Sequence, residues 1–258
     1  EFRRVLFRSS KLRETARKDF EERLNWNIWL DKSNKIIGRL ASEHQPDFYL
    51  PVYVINMKER VERKQHIIKE FDNKEEFELN WVEASVHPIG AVGLWNSIIK
   101  IIKMAKEKGD DIIVICEDDH YFTENYSPKL LFKEVTEAYI QGAEVLSGGI
   151  GGFGQAIPAG YHRYKVDWFW CTQFIVVYNR FFDKMLDYSF QNTDTADGVI
   201  SKLATNIMVI YPFISEQKDF GYSDVTQSNM EQQDKIREHF ARANKRMEFV
   251  SQSNMQSN

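Results

Sequence analysis

The sequence predicts a three-layer α/β domain with a mainly parallel central sheet. Three observations carry that expectation. Residues 112–116 (IIVIC) form an unbroken apolar run, the pattern of a strand buried on both faces. Segments of strand period alternate with segments of helix period along most of the chain. Hydrophobic residues make up 43% of the 258 positions, enough for a sizeable core.

The elements follow in order. Residues 11–46 are charged, with Trp26, Trp29 and Leu30 as docking points, and read as a helical appendage with a helix over 11–24. The first ten residues (EFRRVLFRSS) lack a secretory apolar stretch and read as foreign to the domain. A strand is expected at 48–55 and a helix at 61–71, from the spacing of Val61, Ile67, Ile68 and Phe71. A short strand follows at 81–84 and a helix at 93–106, stopped by Gly109. After the 112–116 strand come a helix at 128–140, a strand at 144–147 and a glycine-rich stretch at 148–154 (GGIGGFG). A strand at 173–178 and helices at 181–188 and 197–204 precede a strand at 207–211. The polar remainder holds a helix at 231–246 and a loose tail. The division is therefore 1–46 appendage, 47–225 main domain and 226–258 C-terminal helix and tail.

Composition excludes several classes. With 34 basic against 38 acidic residues, no basic excess marks a nucleic-acid surface. No apolar run reaches the roughly 18 residues a transmembrane helix needs. Two cysteines, Cys116 and Cys171, set no disulfide framework, read as buried thiols and favour a reducing compartment.

The chemistry concentrates in Glu117-Asp118-Asp119-His120, directly after the most buried strand. Ligands in open α/β sheets bind beyond the carboxyl ends of strands. Three carboxylates at one strand end repel one another and raise their pKa values. A bound Mn²⁺ or Mg²⁺ removes that repulsion and bridges to a diphosphate. The alternative is a solvated acidic turn capping the next helix; His120 is either a further ligand or, as the favoured reading, a partly exposed turn residue. Asn56, Arg60 and Arg63 follow the first strand, where guanidinium groups suit phosphates, or else form an ordinary charged helix start. The glycine-rich stretch is either a mobile loop over the site or a plain connection. Trp168, Phe169 and Trp170 are either a sugar-stacking surface or core. Asp197 either contacts the acceptor or sits as a first-turn acid favouring the helix dipole.

Several pieces together resemble glycosyltransferase family 25, the group of lipooligosaccharide and procollagen galactosyltransferases. They are 52–63 (VYVINMKERVER), 89–95 (IGAVGLW), 112–119 (IIVICEDD), the Cys-containing 170–186, Asp197, and the closing Pro212, Gln217 and Ser223-Asp224. The family's usual Cys-Ala-Leu-Ser-His is replaced here by Ala91-Val92-Gly93-Leu94-Trp95, without the histidine. The resemblance implies a GT-A-like fold and a nucleotide-sugar donor, UDP-linked and carrying galactose. It implies Mn²⁺ held by Asp119 and Glu117, donor contacts from Asn56, Arg60, Arg63, Glu117 and Asp118, and Asp197 as the base of an inverting transfer. The implied acceptor is an oligosaccharide or glycolipid of lipopolysaccharide synthesis, reached in the cytoplasm by peripheral contact with the membrane's inner face. Two other functions remain open. A nucleotidyltransferase is disfavoured because the first strand runs into Asn56-Met57-Lys58 without a glycine-rich loop. A non-catalytic glycan-binding or scaffold protein is the other.

Overall fold

The computed structural model describes residues 49–221 and 235–255, the last two of them in backbone only. The expected helix at 11–24, the appendage at 1–46 and Ser223-Asp224 lie outside the described residues.

Ten strands and six helices are described. In chain order they are β1 (Leu50–Asn56), α1 (Val61–Glu70), β2 (Phe77–Glu83), α2 (Gly90–Lys108), β3 (Ile112–Glu117), β4 (His120–Phe122), α3 (Pro128–Ile140) and β5 (Val145–Ser147). There follow β6 (Ala156–Pro158), β7 (Arg163–Val166), β8 (Phe174–Tyr178), α4 (Asn179–Leu186), α5 (Ala196–Leu203), β9 (Ile207–Ile210), β10 (Ser215–Gln217) and α6 (Lys235–Met255).

Eight strands form one sheet in the order β2-β1-β3-β8-β5-β9-β7-β6, and β4 pairs with β10 in a small second sheet. The β2-β1, β1-β3 and β5-β9 pairs are parallel, and the remaining four pairs in the large sheet are antiparallel. Tracing those pairings, six strands run one way while β7 and β8 run the other. The mainly parallel three-layer arrangement expected from the sequence is thus observed, with two reversed strands that the sequence reading did not contain.

Side-chain alternation builds the layers. Tyr53 and Ile55 of β1 face the core beneath α2, α4, α5 and α6, represented by Trp95, Phe181, Ile200 and Phe240. Leu50, Val52 and Val54 face the opposite core beneath α1 and α3, with Ile67, Leu131 and Val135. The local chemistry explains the helix ends. Ser127 caps α3 by accepting from the Leu130 N–H, with Pro128 at the first helical position. Gly109 closes α2 in the left-handed region. The C-terminal helix, described from Lys235, extends past the expected end at 246 to Met255 and docks Phe240, Ala243 and Met247 into the main core.

The glycine-rich stretch is packed rather than mobile. Residues 148–153 are buried. A Cβ on Gly149 would lie 1.9 Å from the Ser215 carbonyl oxygen, and one on Gly152 would lie 2.6 Å from the Trp170 ring. These glycines allow the backbone to approach neighbours distant in sequence.

Candidate functional site

Strand register assembles the acidic cluster. In the parallel β1-β3 ladder Ile55 pairs with Glu117, which brings Asn56 level with Asp118. The Asn56 amide accordingly donates to Asp118 Oδ2 at 2.8 Å, and it also donates to the Arg60 carbonyl at 3.2 Å. In the antiparallel β4-β10 pair Gln217 lies opposite His120, so its amide reaches Asp119 Oδ2 at 2.7 Å. Across from β3, the residue preceding β8 is Gln173, whose carbonyl accepts from the Glu117 N–H. Thr172 just before it donates its hydroxyl to Glu117 Oε1 at 2.6 Å.

Arg63, in the first turn of α1, turns inward. Its guanidinium donates to Asp118 Oδ1 at 2.8 Å and to Asp119 Oδ2 at 3.4 Å, and it lies 4.8 Å above the Phe220 ring. One guanidinium therefore pairs with two of the three adjacent carboxylates. Burial, then the charge of Asp119, pushes the Glu117 carboxyl up to about 8. Burial, then the charge of Asp118, pushes Asp119 up to about 6, against the lowering effect of Gln217 and Arg63. Asp119 Oδ1 is buried without a hydrogen-bond partner.

The cluster is not a solvated helix cap. Asp118 and Asp119 are buried, and the next helix takes its cap from Ser127. His120 is wholly buried, which corrects the expectation of a partly exposed turn residue. Its Nδ1 lies 2.8 Å from the Ser215 hydroxyl, its ring stacks on Phe174, and burial holds its pKa well below the ordinary value. The ring packs among Phe71, Phe122 and Phe174 and is absent from the cavity lining.

Glu117, Asp118 and Asp119 open onto a cavity of about 700 Å³ at the carboxyl ends of β1, β2 and β3. Met57 and Ala84–Ser85 continue that wall, Gly90 and Ala91 of the α2 start adjoin it, and Lys235 and His239 enter from α6. Asp197 lines the same cavity. Its Oδ2 accepts from the Cys171 N–H at 3.2 Å and its Oδ1 from the Gly198 N–H at 2.8 Å. Thr195, not Asp197, caps α5.

The sequence-predicted residues are therefore divided by the structure. Glu117, Asp118, Asp119, Arg63 and Asp197 share the cavity. Asn56 lies behind its wall, with its amide nitrogen committed to Asp118 and the Arg60 carbonyl. Arg60 sits at the N-cap of α1 and is absent from the cavity lining. Sequence reasoning named Gln217 without a role, and missed Thr172 and the left-handed backbone of Cys171, at φ 78°. A non-glycine residue in that region is uncommon and clusters at functional sites. Nothing in the sequence signals it, because the conformation is imposed by the partners of Trp170, Cys171 and Thr172.

The donor set suits a hard cation in kind, since oxygen carboxylates line the wall and one buried oxygen lacks a partner. Among the described residues, no three His, Cys, Asp or Glu side chains converge as a preformed metal cage. Also among the described residues, no helix is long and apolar enough to cross a membrane.

No family model and no curated protein matches the chain. The chain is similar to several solved structures at low identity. Protein A197 from STIV is 13% identical, with a TM-score of 0.47 over 66% of this chain and 86% of that one. An apo UDP-glucose pyrophosphorylase is 11% identical, with a TM-score of 0.40 over 76% and 81% respectively. A glycosyltransferase involved in glycosylation of the major capsid of PBCV-1 is 11% identical, with a TM-score of 0.36 over 53% and 63%.

Proposed function

We propose that this chain is a metal-dependent glycosyltransferase that takes its sugar from a nucleotide-sugar donor. One observation carries the reading. Three carboxylates, two of them paired with Arg63, open on a cavity at the carboxyl ends of parallel strands, and a further carboxylate, Asp197, lines the same cavity. Uncompensated acids at a cavity wall are a costly arrangement unless a cationic ligand completes it.

In this reading Asp119 and Glu117 would hold Mn²⁺ or Mg²⁺, and phosphate oxygens would supply the ligands the protein lacks. The metal would stabilise charge on the leaving diphosphate. Asp119 offers its unpartnered Oδ1. Arg63 holds Asp118 and Asp119 in place by direct hydrogen bonds. Asp197, which accepts from two backbone N–H groups, would take the proton of an acceptor hydroxyl. Membership of glycosyltransferase family 25, a UDP-galactose donor, inversion and a lipopolysaccharide acceptor rest on the sequence resemblance alone.

A second reading has one observation in its favour. Both oxygens of Asp118 are already satisfied internally, by Asn56 and Arg63, as in a fold that retains the cluster without turnover. Calorimetric titration of UDP and UDP-sugars with Mn²⁺ or with EDTA, followed by an assay of UDP release, decides between them. Metal-dependent binding with turnover supports the transferase. Binding that is equal in Mn²⁺ and EDTA rejects the metal-bridged diphosphate, and binding without turnover favours the glycan-binding scaffold.

A further inference from the structure

Trp170 has an unusual setting for so large an apolar side chain. It is 47% exposed, yet its backbone is fastened on both sides. The Trp170 N–H donates to the Gly152 carbonyl at 3.1 Å, and the Trp170 carbonyl accepts from the Gly151 N–H at 3.0 Å. The indole rests on the Gly152 backbone so closely that a methyl group there would lie 2.6 Å from a ring carbon. Trp168 flanks it at 5.3 Å between centroids and His239 of α6 at 5.5 Å. The ring is thus held from below and from the sides, while nearly half of its surface stays open.

The open surface belongs to the cavity wall that carries Glu117 and Asp197. Trp170 is adjacent in sequence to Cys171, whose N–H holds Asp197, and two residues from Thr172, whose hydroxyl holds Glu117. Nearby on the same wall, Asn192 and Thr193 are exposed polar side chains. A rigid aromatic face beside amide and hydroxyl groups is the chemistry that recognises a pyranose: ring C–H groups pack on the aromatic surface and hydroxyls meet the polar edge. An indole needed merely for the core would be covered, as Trp95 and Phe169 are.

We propose that Trp170, seated on the Gly151–Gly152 backbone, is the stacking platform for a hexopyranose ring of the acceptor, presenting it to Asp197. The proposal rests on the transferase reading for the word acceptor, but the stacking itself does not depend on it.

The test is saturation-transfer NMR on the full chain with methyl α- and β-glycosides of galactose and glucose. In parallel, the thermal shift given by UDP with Mn²⁺ is recorded. The wild type is expected to saturate the C–H protons of one sugar face. Trp170→Ala should weaken glycoside binding by about threefold to tenfold, the range of one aromatic contact. Trp170→Phe, which keeps a ring face, should recover part of it, and Trp168→Ala should change it less than Trp170→Ala. The UDP shift should be the same in all four proteins, which also shows that each variant folds. If Trp170→Ala proves unfolded, the comparison of Trp170→Phe with Trp168→Ala carries the test. Absence of saturation transfer in the wild type, or equal transfer in Trp170→Ala, overturns the platform. Glycoside binding through Trp170 without any UDP shift supports the platform while sinking the transferase reading. A UDP shift with no glycoside contact at Trp170 does the reverse.

Discussion

Two clusters of buried charge invite comparison, one at the cavity and one far from it. Arg163 of β7 is wholly buried and pairs with Glu134 and Glu137 of α3. Glu134 is buried with it, while Glu137 reaches solvent. In the other cluster Arg63 meets Asp118 and Asp119 beside Glu117, and Asp197 lines the same cavity. The Arg163 cluster contains one cation and one fully buried acid, and it ties a helix to a strand. The Arg63 cluster leaves acids in excess at an open wall. The difference teaches that burial of charge alone does not mark a site. An unbalanced buried charge that faces space for a ligand does.

The first way to break this comparison is to break the Arg163 cluster. Arg163→Met leaves Glu134 buried without its partner and should destabilise the fold by about 3–5 kcal/mol. Urea unfolding measures it. Metal-dependent UDP binding should survive in whatever fraction stays folded; its specific loss would mean that the two clusters are coupled. The corresponding change at the cavity should behave oppositely. Asp197→Asn keeps an oxygen to accept a backbone hydrogen bond, so stability should change little. Transfer should fall by a factor on the order of 10² to 10⁴, read as a change in kcat at unaltered UDP affinity. Normal transfer by this variant returns Asp197 to a purely structural role.

A pH experiment sharpens the contrast further. The Glu117 carboxyl is pushed up to about 8 by burial first and by Asp119 second, from an ordinary value of 4.5. The folded chain therefore binds more protons than the unfolded chain between these values. The stability gained is complete below the unfolded value and is lost as pH rises through the folded one. In EDTA, the melting temperature should fall from pH 5 to pH 8 in the wild type and fall less in Glu117→Gln. A steeper fall in the variant would show that the Glu117 carboxyl is not held protonated. The smallest effect is expected at Arg60. It lies outside the cavity lining, so Arg60→Ala should leave UDP affinity within about twofold, less than the 1.5–3 kcal/mol of a lost charged hydrogen bond. A loss in that larger range would place Arg60 at the ligand.

Much of the frame was legible in the sequence. The helix α3 matched its expected bounds because Ser127-Pro128 starts it with local chemistry. The strand β3 announced itself by an apolar run too long and too β-branched for a half-exposed strand. Strand direction was not legible: β8 is buried along its whole length, and such a run looks the same whichever way it pairs. Strands β4, β6, β7 and β10 span three or four residues each, too few to show a period. At the site, the acid triplet was visible as a cluster, and Asp197 was reachable through the resemblance. The inward turn of Arg63 was not, because a charged first helical turn reads as surface unless the carboxylates across β1 and β3 are known to lie beneath it. The glycine-rich stretch invited a loop reading for the same reason, since its close neighbours Trp170, Phe174 and Ser215 are far along the chain.

The strained backbone at Cys171 has a consequence for how this protein can vary. Three successive residues each serve a different group: Trp170 the open face, Cys171 the Asp197 carboxylate and Thr172 the Glu117 carboxylate. One left-handed residue at the centre sets the direction of both neighbours. A change at Cys171 alters the starting geometry of its neighbours, so its effect and that of Thr172 should not sum. Double-mutant cycles between Cys171 and Thr172 should return a coupling energy of about 0.5–3 kcal/mol, as for residues sharing a backbone shift. Sequence drift here is constrained to move in concert: substitutions tolerated singly will be excluded in pairs, and some pairs will be permitted where neither single change is.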